Sequence, residues 1–331
     1  MRRRDFITLL GGAAAAWPLG ARAQQPHRMR RIGVLMAYAD SDPEGQASVA
    51  AFREGLQKLG WTEDRNVRID TRWAVPGDAE SKQRFAKELI GLQPDLILAH
   101  STPSTRTLLQ HTRTIPIVFA IVADPIGSGF VASFSRPGGN VTGFINFEPT
   151  IAGKWVELLK EIDPRLARVA FLFNPLTAPF AEIYLKPFKA AAASFAVEAI
   201  AAPVHDMREL EAFIAAQARE PNGGLLAMPD SFMNANRVDI TSLAAHYEMP
   251  AVYPYRFYAE VGGLLSYGSD LLDNYRSAAT YADRILKGAK PSELPVQAPV
   301  KFEMVINLKA AKALGLDVPF LLQQRADEVI E

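Results

Sequence analysis

Three short strings recur in the same order in the two halves of this chain, and that repetition restricts the fold more than any single motif does. RIGVLM (residues 31–36), a basic residue ahead of an apolar run, has a counterpart in RVAFLF (168–173). DLILA (95–99), followed by polar Ser101 and Thr102, is matched by GLLAM (224–228), followed by Pro229, Asp230 and Ser231. IPIVF (115–119) is matched by MPAVY (249–253). The offsets are nearly equal, and each is about one domain long. Continuous apolar runs of this length suit strands buried on both faces, as parallel sheets require. Between them lie segments of helical periodicity, such as Val49, Phe52, Leu56 and Leu59 ahead of Gly60, or Phe85, Leu89 and Leu92. The expected fold class is therefore α/β, with two Rossmann-like lobes of parallel strands joined by a hinge.

The stretch DLILAHSTPST (95–105) carries the clearest chemistry. Ser101 or Thr102 can serve as an N-cap with Pro103 just behind it, which places a helix N-terminus at a strand's carboxyl end. Free N–H groups and the helix dipole favour a carboxylate there. An ordinary strand-to-helix turn is the alternative. Further along, residues 141–144 read as a short strand leaving the first unit. Residues 294–307, interrupted by prolines, suit an edge or a crossover between lobes, and 308–314 and 320–330 read as short terminal helices.

Thirty-six Lys and Arg balance 36 Asp and Glu, so nothing in the charge points to a nucleic-acid partner. The absence of cysteine excludes a disulfide framework, a thiolate nucleophile and a lipid-modified cysteine anchor. Arg2, Arg3 and Arg4, an apolar Gly/Ala-rich run and Ala21-Arg22-Ala23 have the form of a cleaved export signal over residues 1–23. The order Arg3-Arg4-Asp5-Phe6-Ile7 is twin-arginine-like, with a general secretory signal as the alternative. The expected mature protein is periplasmic and not lipid-anchored.

Longer strings carry a resemblance: FREGLQKLGW (52–61), NVRIDTRWA (66–74), TIPIVFAIVADPIGSGFVASFSRPGGNVTGF (114–144), GGLLSYG (262–268) and RILKGAKPSELPVQAPVKFEMVINLKAAKALGL (284–316). They span the mature chain, which resembles the periplasmic solute-binding components of ABC importers, in the subgroup with tryptophan- and phenylalanine-binding proteins. The resemblance implies a type I periplasmic binding protein fold and an amino-acid-like, possibly aromatic ligand in the interlobe cleft. It also implies delivery to an ABC permease and its ATPase; the protein is expected to be a monomer and to carry no cofactor. The implied organisation is a first lobe at 24–144, completed by about 270–290, a second lobe at 145–269, and crossover and terminal helices at 291–331.

If the lobes face one another, strand-end loops from both halves converge on one cleft. Ser101, Thr102 and Ser104 are the candidate carboxylate ligands, with nearby backbone N–H groups. Asp124 or Asp230 could accept an α-ammonium; an Asp before Pro is also a common turn former, and Asp230 could simply cap the helix near Ser231. Asn174, Ser231, Tyr255 and Tyr267 complete the candidate set, the tyrosines offering flat apolar surface with a polar handle. No GxGxxG follows a strand, and no P-loop, HExxH or GxSxG occurs, so neither a nucleotide cofactor nor a catalytic metal is expected. Two other functions use the same cleft: an exported α/β hydrolase with His100 or Asp124 as base, and a periplasmic sensor partner. Gly139, Gly143, Gly262 and Gly263 are the candidate hinge positions.

Overall fold

The structure, a computed structural model, describes residues 29–331, so the export signal expected at 1–23 lies outside the described residues. In the first lobe the run after Arg31 forms β1 (Arg30–Met36), buried from Ile32 onward. Asp42 then caps α1 (Pro43–Lys58): its carboxylate accepts the Glu44 N–H at 2.9 Å, and Pro43 sits in the first turn, where a missing N–H costs nothing. β2 (Val67–Trp73), α2 (Ala79–Gly91), β3 (Leu96–His100), α3 (Ser101–His111), β4 (Ile117–Val122) and β5 (Val141–Ile145) follow. The five strands are parallel in the order β2-β1-β3-β4-β5. β3, β4 and β5 are buried along their whole length, as expected of a parallel sheet covered on both faces.

The second lobe repeats the scheme. It runs α4 (Ile151–Ile162), β6 (Arg168–Phe173), α5 (Ala181–Ser194), β7 (Glu198–Pro203), α6 (Met207–Gln217), β8 (Gly223–Ala227), α7 (Ser231–Ala235), α8 (Arg237–His246), β9 (Ala251–Tyr253), α9 (Arg256–Glu260) and β10 (Leu265–Ser269). Its strands lie in the order β7-β6-β8-β9-β10, which is the first lobe's order again. The three repeated strings are thus β1 and β6, β3 and β8, β4 and β9.

α10 (Leu271–Leu286) returns to the first lobe and packs along α1. Its apolar face, with Tyr275, Ala278, Ala279 and Ala282, comes so close that a Cβ on Gly55 would stand 2.7 Å from the Ala279 Cβ. The chain then crosses back: Gln297 exchanges backbone hydrogen bonds with Gly143 and Ile145 at the edge of the first sheet before β11 (Phe302–Asn307) joins the second. β11 runs antiparallel to β10, so the second sheet is mixed rather than purely parallel. α11 (Leu308–Ala313), α12 (Phe320–Arg325) and β12 (Glu328–Ile330) end the chain.

Two expectations need correction. The terminal helix read over 320–330 stops at Arg325, because Val329 and Ile330 pair with Ile306 and Asn307 as an edge strand, a choice that only the neighbouring β11 offers them. The segments passing between the lobes are residues 146–150, 270 and 294–301, and none holds Gly139, Gly143, Gly262 or Gly263. A hinge is set by the chain's path, not by where glycine occurs. Among the described residues no helix is long and apolar enough to cross a membrane.

Candidate ligand-binding cleft

The carboxyl ends of both sheets face each other. On the first lobe, Ser101 opens α3 with φ 78°, a left-handed turn that swings the chain from strand to helix in one residue. Sequence reasoning made Ser101 or Thr102 the N-cap; the capping position is instead His100, and no side chain caps this helix. The hydroxyls are used otherwise. Thr102 Oγ1 accepts the Ala123 N–H at 3.3 Å, tying α3 to a register shift in β4 at Ile121, while Ser101 Oγ donates to Ser104 Oγ at 3.4 Å. Ser101, Thr102 and Ser104 are all buried, and the first-turn N–H groups of α3 are left for another acceptor.

The opposite wall is built differently. Asp230, 2% exposed, caps α7: one carboxylate oxygen accepts the Met233 N–H and the Thr177 hydroxyl, each at 2.9 Å, and the other accepts the Asn174 N–H at 3.1 Å. Burial pushes its carboxyl up to about 6, opposed by those hydrogen bonds. Asn174 is committed as well, donating through Nδ2 to the His205 carbonyl and accepting the Leu176 N–H. Asp230, Asn174 and Thr177 therefore form a bracket within this lobe, and Ser231 lies buried as the first residue of α7. Asp124, half-buried on the first lobe, accepts the Gly127 N–H at 2.7 Å, the turn-forming role.

Between the walls lies a seam of tyrosines. Tyr38 follows β1 and Tyr255 follows β9, one from each lobe; both are buried, and neither hydroxyl has a partner within 3.5 Å among the described residues, with the Asn234 and Asn146 side chains close by beyond that distance. Burial holds the Tyr255 hydroxyl well above the phenol range, the Tyr184 and Tyr38 hydroxyls adding to the rise and the Asn146 side chain opposing it. Tyr184 donates to Asn146 Oδ1 at 3.3 Å, and Phe147 packs against Tyr255 at 5.3 Å between ring centroids. Tyr267 does not join this group. Its ring stacks on Phe302, which in turn meets Phe147, and it lines a separate surface groove with Glu148 and Lys154.

Among the described residues one ion pair spans the lobes. Arg237, at the start of α8, grips Asp42 bidentately, Nη1 to Oδ2 at 2.9 Å and Nη2 to Oδ1 at 3.1 Å, with only 7% and 12% of the two side chains exposed. Beside it His100, buried and hydrogen-bonded to Tyr275, is pushed down by burial to about 3 and stays neutral. A ring so placed has neither a free Nδ1 nor the basicity a general base needs near neutrality. Among the described residues no His, Asp and Glu cluster in a way that would hold a metal ion.

Sequence reasoning places Tyr38 in a cleft loop, Ala37 to Asp42, without singling it out, and does not name Asn146, Tyr184 or Arg237. Asn146 directly follows β5, and the same strand-end signal could have found it. Arg237 and Asp42 lie far apart in sequence, and nothing in either neighbourhood announces the other.

A model of the ABC transporter substrate binding protein family matches residues 35–330. The chain belongs to that family. This substrate-binding protein is 25% identical over 290 residues to a tyrosine-binding protein of Clostridioides difficile (strain R20291), covering 87% of this chain and 82% of that one. Among solved structures it is similar to the ABC domain in complex with L-Trp from Streptococcus pneumonia, at 27% identity and a TM-score of 0.84, over 91% of this chain and 99% of that one. An open, ligand-free substrate-binding protein with adhesive properties from Clostridium difficile shares the fold, at 24% identity and a TM-score of 0.67, over 91% and 99% of the two chains.

Proposed function

We propose that this substrate-binding protein holds a small amino-acid-like solute with an aromatic side chain in the interlobe cleft. It then delivers the solute to a membrane permease and its ATPase, acting in the periplasm as a monomer that binds without turnover. The observation that carries the reading is the pair of buried hydroxyls, Tyr38 and Tyr255, one from each lobe, neither within hydrogen-bond distance of a partner. A buried polar group left unpaired costs roughly 1–3 kcal/mol, and a ligand enclosed between the lobes would satisfy both. In this reading the uncapped first turn of α3, with Thr102 and Ser104, receives the ligand carboxylate, and the aromatic seam receives its side chain. The relatives that bind tyrosine and L-Trp support the same ligand class. Asp124 and Asp230 remain the candidates for the ammonium, Asp124 having the carboxylate less occupied by its own lobe. The Arg237–Asp42 pair would hold the lobes together over the ligand.

Thermal-shift titration of purified protein with L-Trp, L-Tyr and L-Phe tests this. A ligand at about a hundred times its Kd should stabilise the protein by about 2.7 kcal/mol and raise Tm by several degrees. Silence with all three, and with a wider set of amino acids and carboxylates, would overturn the reading.

A further inference from the structure

A second cavity lies in the second lobe, between α8 and α11, at the amino ends of β9 and β10 and thus at the far end of the sheet from the cleft. It encloses about 330 Å³, roughly twice the volume of an apolar cavity that admits benzene. Its walls are small where a packed core would place large side chains: Ala244, Ala251, Ala310 and Ala313 leave the two helices apart. Thr241 and Asn307, also in the lining, bond to backbone carbonyls, which leaves two polar side chains of the lining uncommitted. Tyr253 lines the cavity with its ring largely buried; its hydroxyl makes no hydrogen bond among the described residues and keeps some contact with solvent. Burial alone lifts that hydroxyl above the phenol range, with no hydrogen bond opposing the rise. Gly263 gives the ring its passage, since a Cβ there would stand 2.7 Å from Tyr253 Cε2. Lys309 stands exposed on the rim, outside every ion pair among the described residues.

We propose that this groove is a second small-molecule site that takes a hydroxyaryl carboxylate. The apolar body lies among the alanines, a polar atom at its inner end pairs with the Tyr253 hydroxyl, and the carboxylate meets the Lys309 ammonium. An unpaired hydroxyl at one end and a lone cation at the other select for a ligand polar at both ends and apolar between. The site is independent of the cleft.

The test is calorimetric titration of the full chain with 3-(4-hydroxyphenyl)propionate, compared with 3-phenylpropionate, which lacks the hydroxyl, and 3-(4-hydroxyphenyl)propan-1-ol, which lacks the charge. Ala310→Leu should fill the groove and weaken the first probe about tenfold or more. Lys309→Gln, on the surface and without risk to folding, should weaken both acids by about threefold and leave the alcohol unchanged. Tyr253→Phe should cost about fivefold for the hydroxylated probes and nothing for 3-phenylpropionate. No binding to the wild-type chain at millimolar probe would overturn the proposal. So would binding that survives Ala310→Leu and disappears in Arg237→Ala, since the probe would then sit in the cleft. Neither result bears on the thermal shifts with L-Trp, L-Tyr and L-Phe.

Discussion

At equivalent places in the two lobes, the helix after β3 and the helix after β8 treat their first turns in opposite ways. α3 starts at Ser101 with no side-chain cap, and its hydroxyls are spent on Ala123 and on one another. α7 starts at Ser231 under a buried carboxylate that accepts three hydrogen bonds from its own lobe. One strand order therefore yields one wall with donors to spare and one already saturated. The positive end of α3 is unneutralised and suits an anionic group on the first lobe, whereas the second offers mainly Tyr255 and Tyr184, with Phe147 of the crossing segment packed on Tyr255. Gene-scale repetition of a fold does not repeat its chemistry. The side chain standing one residue before the helix decides that.

The contrast can be broken most forcefully at the contact between the walls. Arg237→Ala leaves Asp42 nearly buried and unpaired, and removal of one partner from such a pair costs about 2–5 kcal/mol. Ligand affinity should fall by at least about thirtyfold, and small-angle scattering of ligand-saturated protein should show less compaction than in wild type. The paired change Asp42→Leu with Arg237→Met should recover much of that loss, because it removes the uncompensated charge. Wild-type affinity in Arg237→Ala would show that the two lobes do not rely on this contact.

Asp230→Asn addresses the saturated wall. The Asp230 carboxyl titrates at about 6 in the folded chain against 3.8 as its ordinary value, so the folded state binds the proton more tightly. Its favourable contribution is complete below about pH 4 and is lost as pH rises toward 6. The stability difference between wild type and Asp230→Asn should move by on the order of 3 kcal/mol, against wild type, between pH 4 and pH 7. Urea denaturation of both proteins at the two pH values measures it, and a pH-independent difference would contradict the buried-carboxylate account.

Tyr38→Phe and Tyr255→Phe separate the seam's cost from its use. Each change deletes an unpaired hydroxyl, so the ligand-free protein should be as stable as wild type or about 1 kcal/mol more stable. Affinity for the ligand should drop by about three- to tenfold if the hydroxyls are satisfied on binding. A drop in stability with unchanged affinity would make them structural. The smallest effect is expected on the donor wall: Ser101→Gly relieves a non-glycine φ of 78° and should stabilise the protein by about 1 kcal/mol in the same denaturation assay.

Much of the architecture was legible because it is written locally. Apolar runs such as LILA and VAFLF declare buried strands, Asp42 with Pro43 declares a helix start, and the recurrence of three strings declares two lobes of one topology. Local rules failed where two options had similar local energies and a distant segment chose. Residues 328–330 became a strand because β11 offered an open edge. Ser101 lost the capping role because the chain turns through it, and the capping position fell to His100, whose ring is held by Tyr275 on α10.

The site divides along the same line. Strand-end loops could be named from sequence, since a parallel sheet sends them all to one edge. Which side chains in them are free and which are consumed depends on partners such as Thr177 for Asp230, Asn146 for Tyr184 and Asp42 for Arg237. Sequence by itself determined that this chain makes two α/β lobes with a cleft between them, because hydrophobic periodicity and caps act over a few residues. Only the tertiary structure decided that two tyrosine hydroxyls, one from each lobe, would be buried without a partner and that one arginine would bridge the lobes. Burial and pairing are properties of neighbours in space, which the order of residues does not list.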